Sequence, residues 1–233
     1  MNHPLRVAFH MSGRTKSHSF MYFNMSVRAL ALYRKLLTAF EKLEHLDPEY
    51  DQAFTTLEEA AVLPVVLAGM CLEATLYDLG VCIFGEELVE HIDKLDPLAK
   101  YYVLASFIDK EPPSPSGVTY QNLQLLVTAR NKLIHHKSHP SFGSDDFAQG
   151  MAKANKEHKK HLAGISASLR ALVLLSLHFD GRIFEELRII PSFKRKSAWS
   201  GLIPIELHPE IEWCIKASKD EAAKTKHCGA AAP

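Results

Sequence analysis

The stretch Val118-Thr-Tyr-Gln-Asn-Leu-Gln-Leu-Leu-Val-Thr-Ala-Arg-Asn-Lys-Leu-Ile-His-His-Lys137 decides the fold class. At the helical repeat of about 3.6 residues per turn, Leu123, Leu125, Leu126, Val127, Ala129, Leu133 and Ile134 fill one broad arc. Gln121, Gln124, Thr128, Asn131, Lys132 and His135 fill the remainder. An apolar arc this wide belongs to a helix packed on at least two neighbours. Arg130 contradicts the pattern: it falls between Leu126 and Leu123, where a guanidinium is costly unless it is paired or turned toward a cleft or partner.

Upstream, Asp109 to Gly117 reads Asp-Lys-Glu-Pro-Pro-Ser-Pro-Ser-Gly, which cannot continue a helix, and Thr119 is the expected cap of the next one. Downstream, Ser138 to Ser144 reads as a loop, and Asp145 is expected to open a long helix to about Phe179. The first half of that helix is polar, whereas Leu169 to Leu177 is almost wholly apolar and must enter a core. Nearer the N-terminus, an amphipathic helix is expected from about Asn24 to Leu46, ended by Asp47-Pro48. The Thr55-Thr56-Leu57-Glu58-Glu59 segment resembles a capping box and predicts a helix to about Phe84, bent at Pro64, where the ring removes a backbone donor, and closed by Gly85. Its apolar run, Ala60 to Leu72, reads as a core segment rather than a membrane span. Short helices are expected at Glu86 to Leu95 and Pro97 to Ile108.

Residues 181 to 205 read as irregular, with Pro191, Gly201, Pro204 and the basic Lys194-Arg195-Lys196. A short helix near Pro209 to Ser218 and a tail from Lys224 to Pro233 are expected beyond them. Nothing alternates as strands do, and no long repeat is present. The expected architecture is all-α: a bundle of four main helices over 23–180, short additional helices, a loose arm over 1–22 and an irregular C-terminal extension over 181–233.

Of 233 residues, 47% are hydrophobic and 23% charged, and Lys plus Arg equal Asp plus Glu at 27 each. No global basic field draws such a chain to nucleic acid or an anionic membrane, so any polyanion site must be local. Cys71, Cys82, Cys214 and Cys228 have no metal-ligand spacing and read as reduced thiols. Residues through Lys16 lack the apolar core of a secretory signal, so the expected location is cytoplasmic, with no membrane partner.

No glycine-rich phosphate loop, GxSxG elbow, HExxH or paired CxxC is present, so neither cofactor nor metal is expected. His158 and His161, three residues apart, lack a nearby carboxylate or Cys pattern to complete a metal site. The run from Lys156 to His161 reads as a solvated helix face or, alternatively, as a track for an RNA backbone, and Lys194 to Lys196 is a further candidate for phosphate contact.

What remains is Arg130-Asn131-Lys132-Leu133-Ile134-His135, with His136 beside it, on the second half of an apolar-faced helix that follows a Leu-Glu-Ala-Thr-Leu helix (Leu72 to Leu76). This resembles the HEPN family (higher eukaryotes and prokaryotes nucleotide-binding), small helical bundles marked by Arg, four to six residues, then His, often with a polar residue after the Arg. In helical plan the resemblance covers roughly residues 24 to 179. It implies metal-independent RNA cleavage, the ribose 2′-hydroxyl attacking the adjacent phosphate. His135 is then the general acid/base, an imidazole that exchanges protons near neutrality. Arg130 is the phosphate clamp, and Asn131, one turn before His135, orients the His or a phosphate oxygen. The resemblance also implies a homodimer with the motif helices facing each other, because Arg130 and His135 lie about 140° apart on one helix. A toxin or defence effector held in check by an inhibitory partner protein belongs to the same reading.

Two accounts of Arg130 stand side by side: a site residue, or a buried ion pair with Glu73, the acid that follows the apolar run of the preceding long helix. His135, on the polar arc, is either the acid/base or a plain surface histidine, and His136 borders the apolar arc as a packing or capping residue. At the level of the whole chain, the ribonuclease stands beside a catalytically silent module binding nucleotide, RNA or a protein, and beside a purely structural bundle.

Overall fold

The computed structural model describes residues 18–134, 147–179 and 190–229, with backbone only over 147–158 and 224–229. His135 and His136 lie outside the described residues, as do the expected Ser138 to Ser144 loop and the Asp145 helix start. Among the described residues there are eight α-helices and no strand. They are α1 (Ser19–Phe40), α2 (Tyr50–Phe84), α3 (Glu86–Ile92), α4 (Pro97–Asp109), α5 (Val118–Ile134), α6 (Phe147–Phe179), α7 (Lys196–Trp199) and α8 (His208–Gly229), with a single 3-10 turn at Ile205–Leu207 before the last. The fold is the all-α bundle that the periodicities indicate.

The long helix α2 is the hub, packing against α1, α3, α4, α5 and α6, while α6 packs against α1, α2, α5 and α8. Pro64 sits inside α2 without ending it. Its carbonyl accepts a hydrogen bond from Ser26 of α1 at 2.9 Å, and farther along α2 the buried Cys71 Sγ lies 3.3 Å from the Ser19 carbonyl. Gly85 closes α2 at φ 83°, a left-handed backbone that glycine adopts without strain.

Several boundaries differ from the sequence expectation for identifiable reasons. Helix α1 begins at Ser19 rather than near Asn24, because Phe23 and Val27 bury its first turns in the core. Helix α2 begins at Tyr50 rather than at Thr55. The Thr55 and Thr56 hydroxyls donate backward to the carbonyls of Asp51 and Gln52, inside the helix, instead of capping it. Helix α4 does start as its sequence says: Asp96 accepts from the amides of Leu98 and Ala99, with Pro97 at the first helical position. Thr119 does not cap α5, because the helix already includes Val118, whose amide donates to Glu221 Oε1 of α8 at 2.9 Å. That bond requires α8 to extend well beyond Ser218, and it does, with Ile211 and Cys214 fully buried.

On α5, Leu123, Leu126 and Ala129 are buried as the wheel requires, joined by Asn122 and Thr119. Leu125 and Ile134 are exposed, so the buried arc is narrower than the hydrophobic count suggests. Truncating Leu123 or Leu126 to Ala costs about 2–5 kcal/mol, since each is fully enclosed. On the α6 side, a Cβ at Gly164 would collide with that of Ala129, and this bare contact lets the two helices approach closely.

Helix α2 and the stretch Lys159–Phe179 of α6 are each long and apolar enough to cross a membrane by length and composition, but 50% and 67% of their apolar windows are buried within the bundle. That is how core helices of a globular bundle behave.

A carboxylate holds three helices together at the far end. Glu210 of α8 takes Arg34 of α1 on Oε1 at 2.8 Å and Arg170 of α6 on Oε2 at 2.5 Å. The Arg170 guanidinium also lies 4.4 Å from the centroid of the Trp213 ring.

Candidate functional site

Arg130 leaves α5 on the buried arc and crosses α2 at Gly69, where α2 has no side chain. A Cβ at Gly69 would come within 2.8 Å of Arg130 Cγ, so the stem of the arginine occupies the space that an alanine would need. Beyond this notch the guanidinium turns outward. Its Nη2 lies 3.1 Å from Glu73 Oε1, and its Nη1 donates to Asn131 Oδ1 at 3.2 Å. The paired side chains are 23% and 38% exposed, so the ion pair is partly solvated and contributes roughly 1 kcal/mol or less. Arg130 Nε is buried and has no hydrogen-bond partner among the described residues. Two of the predicted site residues, Arg130 and Asn131, and the predicted support, Glu73, are thus brought together, and the expected Arg130–Glu73 pair is formed.

The three line one cleft of about 730 Å³. His18, just before α1, and Tyr22 of α1 enter from one side, Ala74, Tyr77 and Asp78 from α2, and Asp93 to Pro97 with Lys100 close the opposite wall. The size suits a nucleotide-scale ligand. Its electrostatics are mixed. Lys100 is bound to Asp93 and Arg130 to Glu73, while Asp96 caps α4; an anion therefore reaches Arg130 only in competition with the Glu73 carboxylate.

Tyr22, Tyr77 and Lys94 are cleft residues that the sequence reading did not single out. The signal for Tyr77 was present, since it stands four residues after Glu73 on the same helix and so one turn along the same face. Tyr22 and Lys94 reach the site through tertiary packing and carry no local signature. Glu212 of α8 holds Lys196 at 3.3 Å, and none of Lys194, Arg195 and Lys196 lines this cleft. Among the described residues no group of three or more His, Cys, Asp or Glu is arranged to hold a metal ion.

No protein-family model matches the chain, and searches of curated proteins and of solved structures give no match.

Proposed function

We propose that the protein is an HEPN-like, metal-independent endoribonuclease acting at the Arg130 cleft, in the cytoplasm. The observation that carries this is the turn of the Arg130 head out of the α5–α2 contact to Asn131 Oδ1, because Asn131 stands one helical turn before His135 in sequence. The bent arginine removes the conflict between a clamp on the apolar arc and an acid/base on the polar one. Tyr22 and Tyr77 supply aromatic faces in the same cleft on which an unstacked base can lie.

In this reading an RNA phosphate takes the place of Glu73 on Arg130, whose fork matches phosphate oxygens and stabilises the charge that builds as the 2′-hydroxyl attacks. His135 takes the 2′-hydroxyl proton and returns one to the leaving 5′-oxygen, so the products are a 2′,3′-cyclic phosphate and a 5′-hydroxyl. Assembly as a homodimer is supported by two unpartnered apolar features beside the cleft. Leu63 and Met70 are exposed on α2, with Val66 and Leu67 half-buried between them, and Ile134 is exposed at the end of the motif helix. A second copy covering them brings the two motif helices face to face. Restraint by an inhibitory partner, as in a toxin or defence effector, is part of the same proposal.

The test is cleavage of single-stranded RNA in the presence of a chelator. The wild type yields cyclic-phosphate ends, and His135→Ala and Arg130→Ala fold normally without cutting. Undiminished cleavage by His135→Ala removes the ribonuclease. A second reading, a silent module that binds RNA, nucleotide or a protein, is favoured by the Glu73 carboxylate already seated on Arg130. Saturable RNA binding without turnover marks that outcome.

A further inference from the structure

On the far side of the bundle, a second cavity of about 490 Å³ opens between the C-terminal half of α1, the start of α2 and α6. It differs in kind from the Arg130 cleft. Its walls are aromatic: Phe40 stands 4.9 Å from Tyr50 and 5.9 Å from Phe54 between ring centroids, and Leu57, Leu162 and Ile165 complete an apolar lining. Glu41, Glu44 and Glu58 stand around it, and among the described residues none of the three is in an ion pair, while no lysine or arginine lines the cavity.

Tyr33 gives the cavity direction. The residue is only 4% exposed and lines the cavity, and its hydroxyl has no hydrogen-bond partner among the described residues. The ring is enclosed while the hydroxyl oxygen keeps contact with solvent, so a ligand's polar group takes the place of water there. Burial of Tyr33 pushes its pKa up, with Arg34 opposing and the Glu41 carboxylate adding to the rise, so the group remains a neutral hydroxyl.

We infer that this cavity binds an amphiphilic organic ammonium, its hydrocarbon body against the packed Phe40, Tyr50 and Phe54 cluster and its charged head on the Tyr33 hydroxyl and the Glu41 and Glu58 carboxylates. The ammonium donates one N–H to the phenol oxygen and others to the carboxylates, and the ring faces add cation–π attraction. A carboxylate amphiphile of the same length meets like charge at the rim and binds more weakly. A neutral one gains the apolar contact and the phenol but not the carboxylates.

The experiment is calorimetric titration of the full chain with octylammonium chloride, 1-octanol and sodium octanoate at about pH 8, where alkylammonium is charged and imidazole in general is neutral. Octylammonium binds one to one, about ten-fold tighter than octanol and with octanoate weaker still. Glu41→Gln with Glu58→Gln, both at exposed positions, lowers octylammonium affinity about five-fold and leaves octanol unchanged. Tyr33→Phe keeps the ring and weakens both ligands. Equal affinity for octylammonium and octanoate, no saturable octylammonium binding, or an octylammonium affinity indifferent to the paired glutamate change overturns the assignment.

Discussion

Arg130 Cγ occupies the space above Gly69 that a side chain on α2 would fill, 2.8 Å from where its Cβ would stand. The glycine is therefore a packing residue for the arginine, and the two are expected to be energetically coupled. Gly69→Ala in the wild type gains helix propensity but displaces the Arg130 stem, for a net loss of about 1 kcal/mol. In an Arg130→Ala background the obstacle is gone, and the same substitution stabilises by about 1 kcal/mol. Urea unfolding of the four proteins measures the coupling, and strictly additive effects would show that the stem does not rest in the notch.

The Glu73 carboxylate is the second determinant of where Arg130 points, and it competes with any anion for the guanidinium. Glu73→Gln keeps an oxygen acceptor and removes the charge. Single-stranded RNA measured by fluorescence anisotropy is expected to bind about three-fold tighter, with a stability loss below about 1 kcal/mol because the pair is partly solvated. Weaker RNA binding in Glu73→Gln would instead make Glu73 a residue that positions the arginine for its ligand.

How much of this was legible beforehand follows the range of the interactions. The Arg130–Glu73 pair was readable because Arg130 falls on the apolar arc of its helix and Glu73 directly follows a long uncharged run. The α4 start was readable because Asp96-Pro97 caps locally. The α2 start was not: Thr55 and Thr56 imitate a cap, whereas the outweighing signal is the Tyr50, Phe54, Leu57 spacing of one helical face. The cap of α5 comes from Glu221, 103 residues away, and no local pattern announces it. Gly69 illustrates the same limit, since a glycine in a helix acquires meaning only once the crossing side chain is known.

Glu210 ties α1, α6 and α8 through two arginines and is only 17% exposed in its side chain. Glu210→Ala leaves both guanidiniums without their acceptor and is expected to cost about 2–3 kcal/mol, a fall in Tm of roughly 5–10 °C. Arg170→Ala costs less because Arg34 still holds the carboxylate, but more than Arg34→Ala, since the Trp213 stacking is lost as well. Thermal scans of the three variants check this order, and equal losses would mean that the network acts as a single unit.

Burial pushes the Cys71 and Cys214 thiols up to about 12, Thr75 opposing this slightly at the first and Arg170 at the second. In the unfolded chain both ionise near the ordinary thiol value of about 8.5. The folded state therefore holds more protons than the unfolded state between the two values, so stability is complete below about pH 8.5 and declines as pH rises toward 12, by up to about 1.4 kcal/mol per pH unit for each thiol. Cys71→Ala and Cys214→Ala are each expected to be less stable at neutral pH, through the lost packing, yet to show a shallower alkaline decline. Native protein at about pH 8 should also leave both thiols unmodified by iodoacetamide, and brief exposure to urea should release them together. Modification of Cys71 in the native protein would place its thiol within reach of solvent and remove the alkaline term assigned to it.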